Sequence, residues 1–225
     1  MRQILRGVFA VLLVVGFASG EGRAGEDVSL SRFNGKYVGA TAGYGNANAR
    51  FTIANIPIFD SDVDGSLFGL YFGQGWQNGS RYLGYEISAG YSGVVNGRLS
   101  PVGGTPWIRG EIERVWGISL LAKAGAVVGQ DKKTLVYGLV GPAIVRVEAR
   151  AALNGVGQVS GAVPYPGLAV GLGVERFISD QLSIRFQGQY TYYYKADDLF
   201  GGVAVQEYNL DTAALSIGLT WRFGD

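Results

Sequence analysis

Strict alternation between large apolar residues and small or polar residues is the feature that most limits the fold of this chain. Neighbouring side chains of a β-strand point to opposite faces, so alternation predicts strands with one apolar face. The pattern is clearest in Arg81–Tyr91, in Leu182–Tyr194 and in the last strand, Ala214–Phe223. In these segments the predicted apolar face includes Leu83, Tyr85, Ile87, Ala89, Tyr91, Leu182, Ile184, Phe186, Tyr190, Tyr192, Leu215, Ile217, Leu219, Trp221 and Phe223.

Five further segments complete a set of eight strands: Lys36–Gly45, Ser66–Gln77, Ile108–Val128, Leu135–Arg150 and Gly167–Ile178. Their connections alternate in length. The short ones are Asn78–Ser80, which contains an Asn-Gly hairpin signal, Gln130–Thr134 and Ser179–Gln181. The longer ones are Asn46–Gly65, Gly93–Thr105, Ala151–Pro166 and Lys195–Asp211. Short periplasmic turns that alternate with longer outer loops are typical of outer-membrane barrels.

Composition separates a membrane barrel from its main alternative, a secreted soluble β-sandwich. The chain has 37 Gly and 12% aromatic residues. A sandwich also alternates, but it gives no reason for aromatic residues at both ends of so many apolar faces. Such residues suit the aromatic belts of a membrane barrel: Tyr44, Trp76, Tyr91, Tyr190, Tyr192, Tyr194, Trp221 and Phe223. We therefore predict an all-β fold, an eight-stranded antiparallel up-and-down transmembrane β-barrel.

The N-terminus has the pattern of a secretory signal peptide. Arg2 and Arg6 precede an apolar stretch, and Ala18, Ser19 and Gly20 provide a small-residue cleavage site. The alternatives are cleavage after Ala24 and an uncleaved anchor, although the apolar run is shorter than the roughly 20 residues of a transmembrane helix. The expected organisation is a signal peptide over 1–20, a short periplasmic segment over 21–34 and the barrel over 35–223, with both barrel termini in the periplasm.

Several motifs, taken in order, resemble small outer-membrane barrels of the OmpA-like and opacity type, which include porin-family surface antigens. They are the segments 37–44 (YVGATAGY), 75–77 (GWQ), 83–86 (LGYE), 90–93 (GYSG), 171–175 (GLGVE) and 218–223 (GLTWRF). The resemblance covers about 33–223 and implies a non-enzymatic barrel with a structural role in the envelope and a surface antigen or adhesin role.

The chain departs from this family pattern in two places. Gly224 and Asp225 follow Phe223, whereas the resemblance implies a terminal Phe as the signal for the outer-membrane assembly machinery. Pro142 falls inside a predicted strand, where it lacks the N–H needed for the hydrogen-bond ladder. We expect a bulge or a local break at Pro142.

Charged residues fall on the predicted inner faces of several strands. The predicted lumen network contains Glu86, Lys123, Arg146, Glu148, Glu175, Arg185 and Arg222. The interior of an eight-stranded barrel is only wide enough for side chains, so buried charges there are expected to pair. The first interpretation is a structural network that fills the lumen; a narrow ion path or gate and a catalytic carboxylate pair are the alternatives.

Three aspartates, Asp60, Asp62 and Asp64, precede Gly65 with the spacing that begins an EF-hand loop. The twelfth position is Tyr71 rather than Glu, so a solvated acidic loop is favoured over a metal site. The same predicted loop carries Phe51, Ile53, Ile56, Ile58 and Phe59, which either contact a partner or extend the first hairpin above the membrane.

The residue inventory narrows the functional classes. The chain has no His and no Cys, which removes imidazole catalysis, thiolate metal sites and disulfides. A net charge of +1 argues against nucleic-acid binding. We expect no cofactor. The expected partners are outer-membrane lipid, lipopolysaccharide, the assembly machinery and a host or surface ligand at the outer loops. A narrow solute channel is the alternative function, ahead of a lipid-modifying enzyme.

Overall fold

A computed structural model describes residues 31–53, 56–92, 98–99, 108–153, 157–194 and 205–223. Side chains are described for 31–48, 64–92, 116–146, 164–194 and 211–223. The described residues form nine strands: β1 (Gly35–Ile53), β2 (Ile56–Asn78), β3 (Arg81–Ser92), β4 (Arg98–Leu99), β5 (Ile108–Val128), β6 (Thr134–Leu153), β7 (Gly157–Phe177), β8 (Leu182–Tyr193) and β9 (Val205–Phe223). The described residues include no helix that is long and apolar enough to cross a membrane.

Eight of these strands close into a ring. The order is β3-β2-β1-β9-β8-β7-β6-β5, every neighbouring pair is antiparallel, and β3 pairs with β5 to close the barrel. The two-residue β4 adds only to the edge of β5, through Arg98 opposite Glu111. Closure removes the sheet edges that would otherwise leave backbone groups unpaired in lipid. The predicted eight-stranded antiparallel barrel is confirmed.

The short turns at one end of the barrel occur where the sequence predicted them. β2 ends at Asn78 and β3 begins at Arg81, with Gly79 at φ +60° in the left-handed region that a two-residue hairpin turn requires. Short turns also join β5 to β6 and β7 to β8. The start of β1 and the end of β9 lie at this same end of the barrel. We call it the turn end, and the opposite end the far end.

Three of the four predicted longer loops are wrong over much of their length. Residues 46–53 and 56–65 extend β1 and β2, residues 151–153 and 157–166 extend β6 and β7, and residues 205–211 belong to β9. Polar residues such as Asn46 and Asn48 suggested loops, but a paired strand that projects beyond a membrane can have water on its outer face. The fourth loop lies outside the described residues except for β4.

The outer face is apolar, as the alternation predicted. The described outward side chains along β3, β8 and β9 include Ile87, Phe186 and Ile217, all of them exposed. Most of the predicted belt residues are also exposed on this face: Tyr44, Trp76, Tyr91, Tyr192, Tyr194, Trp221 and Phe223. An apolar outer wall with aromatic residues near both ends is the surface that a bilayer requires.

Pro142 interrupts the ladder between β5 and β6 without changing the register. Ser119 pairs with Ala143 and Ala122 pairs with Val140, but the two positions between these pairs are not paired. On its other side, Pro142 remains opposite Leu168 of β7. The expected effect of Pro142 is therefore found as a local break rather than a bulge, because the missing N–H affects only one neighbouring strand.

Candidate functional site

A layer of eight buried side chains crosses the barrel near its turn end, with one from every strand of the ring. In chain order the residues are Tyr37, Tyr71, Glu86, Lys123, Tyr137, Glu175, Arg185 and Arg222. We call this set the plug layer. Each faces inward because it occupies the inner phase of its strand, and the outward neighbours, such as Ile87 and Phe186, are exposed.

Glu86 is the acidic centre of one half of the plug layer. Its Oε2 accepts a hydrogen bond from Arg185 Nη1 at 2.8 Å and lies 3.4 Å from Lys123 Nζ. The hydroxyl of Tyr37 donates to the same oxygen at 3.1 Å. A fully buried carboxylate requires such partners, because an unpaired charge in this environment would be strongly destabilising.

Glu175 is the acidic centre of the other half. Arg222 Nη2 lies 3.1 Å from Glu175 Oε1, and the Ser183 hydroxyl donates to that oxygen at 2.8 Å. Lys123 Nζ lies 3.9 Å from Glu175 Oε2, so Lys123 connects the two carboxylates. The plug layer holds three cations and two carboxylates, which leaves one excess positive charge.

Tyrosine rings separate these charges and fill the space between them. Arg185 Cζ lies 3.4 Å from the ring centroid of Tyr71, and Lys123 Nζ lies 4.1 Å from that of Tyr137. Arg222 Cζ lies 4.6 Å from the ring centroid of Tyr37. The face of an aromatic ring attracts cations, so the rings stabilise the excess positive charge while they occupy the cross-section.

The tyrosine rings fit because glycines lie opposite them on neighbouring strands. Tyr37 pairs with Gly73 across β1 and β2, and Tyr71 pairs with Gly39 across the same two strands. A Cβ built at either glycine would overlap the opposing tyrosine ring. Glycine is therefore required at these inner positions by close approach rather than by backbone conformation.

A short segment before β1, Ser31–Asn34, closes the turn end below the plug layer. We call it the entry segment. Phe33 is fully buried and packs against Tyr82 and Phe177, with ring centroids 6.2 and 4.8 Å away. Arg222 Nη1 donates to the Phe33 carbonyl at 2.7 Å, and the Phe33 N–H donates to Gln77 Oε1 at 3.0 Å. The entry segment is thus bonded directly to the plug layer.

The structure brings together five of the seven residues predicted for the lumen: Glu86, Lys123, Glu175, Arg185 and Arg222. The inward placement of Arg146 is wrong, because Arg146 is exposed on the outer wall beside Trp116. Both phases of β6 carry apolar residues, so the sequence did not define which one faces inward. Leu135, Tyr137 and Leu139 occupy the inner phase instead. The side chain of Glu148 lies outside the described residues.

The plug tyrosines and Phe33 were not predicted as site residues. Tyr37 and Tyr71 were detectable from alternation, because each lies among small residues in the phase opposite to exposed apolar ones. Phe33 had no such signal, since it precedes the first strand and its burial depends on distant residues.

The predicted acidic loop is also wrong in its local structure. Residues 60–65 lie within β2, so the tight turn of an EF-hand loop is absent. Asp64 is exposed and accepts a hydrogen bond from the Tyr44 hydroxyl, whereas the side chains of Asp60 and Asp62 lie outside the described residues. Among the described residues, no group of three or more His, Cys, Asp or Glu is arranged to hold a metal ion.

A closed antiparallel ring with an apolar outer wall, aromatic belts and buried charges in its interior defines the chain as a transmembrane β-barrel. Residues 9–223 match the family described as the outer membrane protein beta-barrel domain. The chain belongs to this family, and it is a protein of the outer membrane. A curated relative, the 22 kDa outer membrane protein of Rhizobium leguminosarum bv. viciae, is 29% identical over 171 residues, which cover 73% of this chain and 72% of the relative.

Two solved bacterial structures have a similar architecture. Ail, the attachment invasion locus protein of Yersinia pestis, matches 84% of this chain and 99% of its own, with 17% identity and a TM-score of 0.45. OprG from Pseudomonas aeruginosa matches 85% of this chain and 97% of its own, with 12% identity and a TM-score of 0.48.

Proposed function

We propose that this protein is a non-enzymatic barrel that stabilises the outer membrane and presents its far end at the cell surface, as an antigen or adhesin. The observation that carries the proposal is the plug layer. Every strand of the ring contributes a buried side chain to it, and the charges in it are used to pair with one another. Such a cross-section supports the barrel from inside and leaves no path for a solute.

Conductance of the refolded protein in planar bilayers tests whether the lumen is closed. Wild-type protein is expected to give no stepwise currents. The double variant Glu86→Ala with Arg185→Ala removes a pair from the plug layer and is expected to introduce a leak. The variant Phe186→Ala, whose change faces lipid, is the control and should remain silent. Stepwise currents in the wild type would contradict the closed barrel.

The alternative is a narrow channel for ions or small solutes. The plug layer has a net charge of +1, which repels cations and attracts anions, so it favours a channel only for anions. Wild-type currents with anion selectivity would therefore support this alternative.

Display of the far end follows from the predicted orientation, with the turn end and both barrel termini in the periplasm. The chain has no Cys, so single cysteines can be placed on a clean background. Asn154→Cys, between β6 and β7, is expected to react with a membrane-impermeant maleimide on intact cells. Lys132→Cys, in a turn at the other end, should react only after the outer membrane is permeabilised. The reverse pattern would contradict the orientation.

The organisation of the N-terminus is part of the same proposal. Residues 1–20 are removed as a signal peptide, and residues 21–34 form a periplasmic segment whose last residues close the turn end. Arg32 supports this placement, because its Nη1 lies 3.1 Å from Asp180 Oδ1 in the β7–β8 turn. N-terminal sequencing of protein from purified outer membranes is expected to begin at Glu21. A sequence that begins at Met1 would contradict cleavage.

A further inference from the structure

Arg146 lies on the lipid-facing wall near the far end of the barrel, next to residues of the aromatic belt. Tyr91, Trp116 and Arg146 occupy directly paired outward positions on β3, β5 and β6. All three are exposed, and Arg146 Cζ lies 6.0 Å from the ring centroid of Trp116. A charged side chain in this position requires an explanation, because the outward residues below it on β6 are apolar.

The height of Arg146 places it where hydrocarbon gives way to headgroups. The apolar outward positions of β6 run from Val136 to Ile144, and Arg146 is the next outward position. At about 3.3 Å per residue and a strand tilt of about 40°, Arg146 lies roughly 25 Å above Val136. The apolar band of an outer-membrane barrel is about 25 Å tall. The guanidinium therefore reaches the level of lipid phosphates.

We propose that Arg146 and Trp116 bind a phosphate group of lipopolysaccharide, the glycolipid of the outer leaflet. The position of Arg146 at the level of the lipid headgroups supports this proposal. The inference rests on the proposed orientation, which puts the far end in the outer leaflet. The guanidinium has a planar set of donors that matches phosphate oxygens, and the Trp116 ring holds it against the barrel wall. The acyl chains of the same lipid would lie along the apolar strip below, which includes Ile118, Val140 and Ile144.

A second outward arginine, at the turn end, provides a matched comparison. Arg176 Nη2 lies 2.8 Å from Asp131 Oδ2, and its Nη1 donates to the Thr134 hydroxyl. Two of its guanidinium nitrogens thus have partners within the protein. Among the residues whose side chains are described, no carboxylate forms an ion pair with Arg146. Glu148 follows two positions along β6, and the experiment therefore includes it.

The experiment measures retention of purified diphosphoryl lipid A by refolded protein in detergent, using native mass spectrometry. One cation near a membrane surface contributes roughly 1 kcal/mol, so Arg146→Gln is expected to weaken retention about fivefold. Arg176→Gln should retain the lipid like the wild type. Glu148→Gln should bind as tightly or more tightly, since it removes a nearby negative charge. Heat-modifiable gel mobility verifies that each variant is folded.

Unchanged retention by Arg146→Gln would overturn the proposal, as would an equal loss with Arg176→Gln. Retention of phosphatidylglycerol as strong as that of lipid A would overturn the assignment to a glycolipid. These outcomes are independent of conductance and of cysteine labelling. A failure of the closed-barrel or surface-display proposal can therefore be distinguished from a failure at Arg146.

Discussion

Arg185 and Glu86 meet across the full width of the barrel. They lie on β8 and β3, which are four strands apart in either direction around the ring, and Arg185 Nη1 is 2.8 Å from Glu86 Oε2. Contacts between neighbouring strands fix only the wall, whereas this contact spans the interior. With Lys123 joining Glu86 to Glu175, the plug layer links opposite walls through charged side chains.

Close packing of glycine against tyrosine is expected to make Gly73 sensitive to the smallest substitution. A Cβ at Gly73 would overlap the Tyr37 ring and the backbone oxygen of Tyr85, so Gly73→Ala should destabilise the barrel by about 1–3 kcal/mol. Gly90→Ala is the control, because its Cβ would have only Phe68 O nearby, at 3.7 Å. Urea unfolding in lipid vesicles measures both. Equal effects would show that the inner packing is looser than described.

The two faces of β9 should respond differently to a new arginine. Ile217 is exposed to lipid, and an arginine near mid-bilayer costs about 2–4 kcal/mol. We expect Ile217→Arg to destabilise refolded protein more than Ser216→Arg, provided that the longer side chain at 216 fits the lumen without a clash. Equilibrium unfolding in vesicles gives the comparison. The opposite order, with no clash visible in a structure of the variant, would reverse the assignment of the faces.

Removing the ring of Phe33 should weaken the barrel even though Phe33 precedes the first strand. A buried Phe→Ala change costs about 3–5 kcal/mol, and here it also removes the aromatic ring whose centroid lies 5.5 Å from Arg222 Cζ. Phe186→Ala, on the lipid-facing wall, is the matched control and should cost less because its site does not leave a cavity inside the protein. Urea unfolding compares the two. A smaller loss for Phe33→Ala would mean that the entry segment does not close the turn end.

The turn between β5 and β6 should titrate at low pH. The Lys133 N–H donates to Asp131 Oδ1 at 3.2 Å and Arg176 lies beside the carboxylate, and together they hold the pKa of Asp131 below its usual value. A lowered pKa in the folded state stabilises the turn above the unfolded pKa, and this contribution is lost as pH falls through the folded value.

Carboxyl-carbon NMR in micelles can follow the titration of Asp131. Its midpoint should lie below the ordinary aspartate pKa of about 3.9. Arg176→Gln should raise the midpoint only in part, because the Lys133 hydrogen bond remains. A wild-type midpoint at or above the ordinary value would contradict the turn geometry.

Alternation predicted the barrel and the inward phase of five charged residues, because one face of the wall contacts lipid and the other lines the lumen. The turns were predicted from the short connections between strands, one of which contains an Asn-Gly hairpin signal. It did not define strand ends at the far end, where polar residues in extended hairpins resemble loops. It also placed Arg146 on the wrong face of β6. Both faces of that strand carry apolar residues, so the sequence did not show which face lines the lumen. The partners of each plug residue depend on how eight strands close, which no local pattern contains.

A double-mutant cycle on Glu86 and Arg185 tests the plug layer most directly. Glu86→Gln and Arg185→Met are each expected to cost about 3 kcal/mol or more, because each removes the nearest opposite charge from a buried ionic group. The double variant should cost clearly less than the sum, with a coupling of at least about 1.5 kcal/mol. The exposed pair Asp131 and Arg176 is the control, with an expected coupling below about 1 kcal/mol. Additive costs for Glu86 and Arg185, within about 0.5 kcal/mol, would contradict a charge network that spans the barrel.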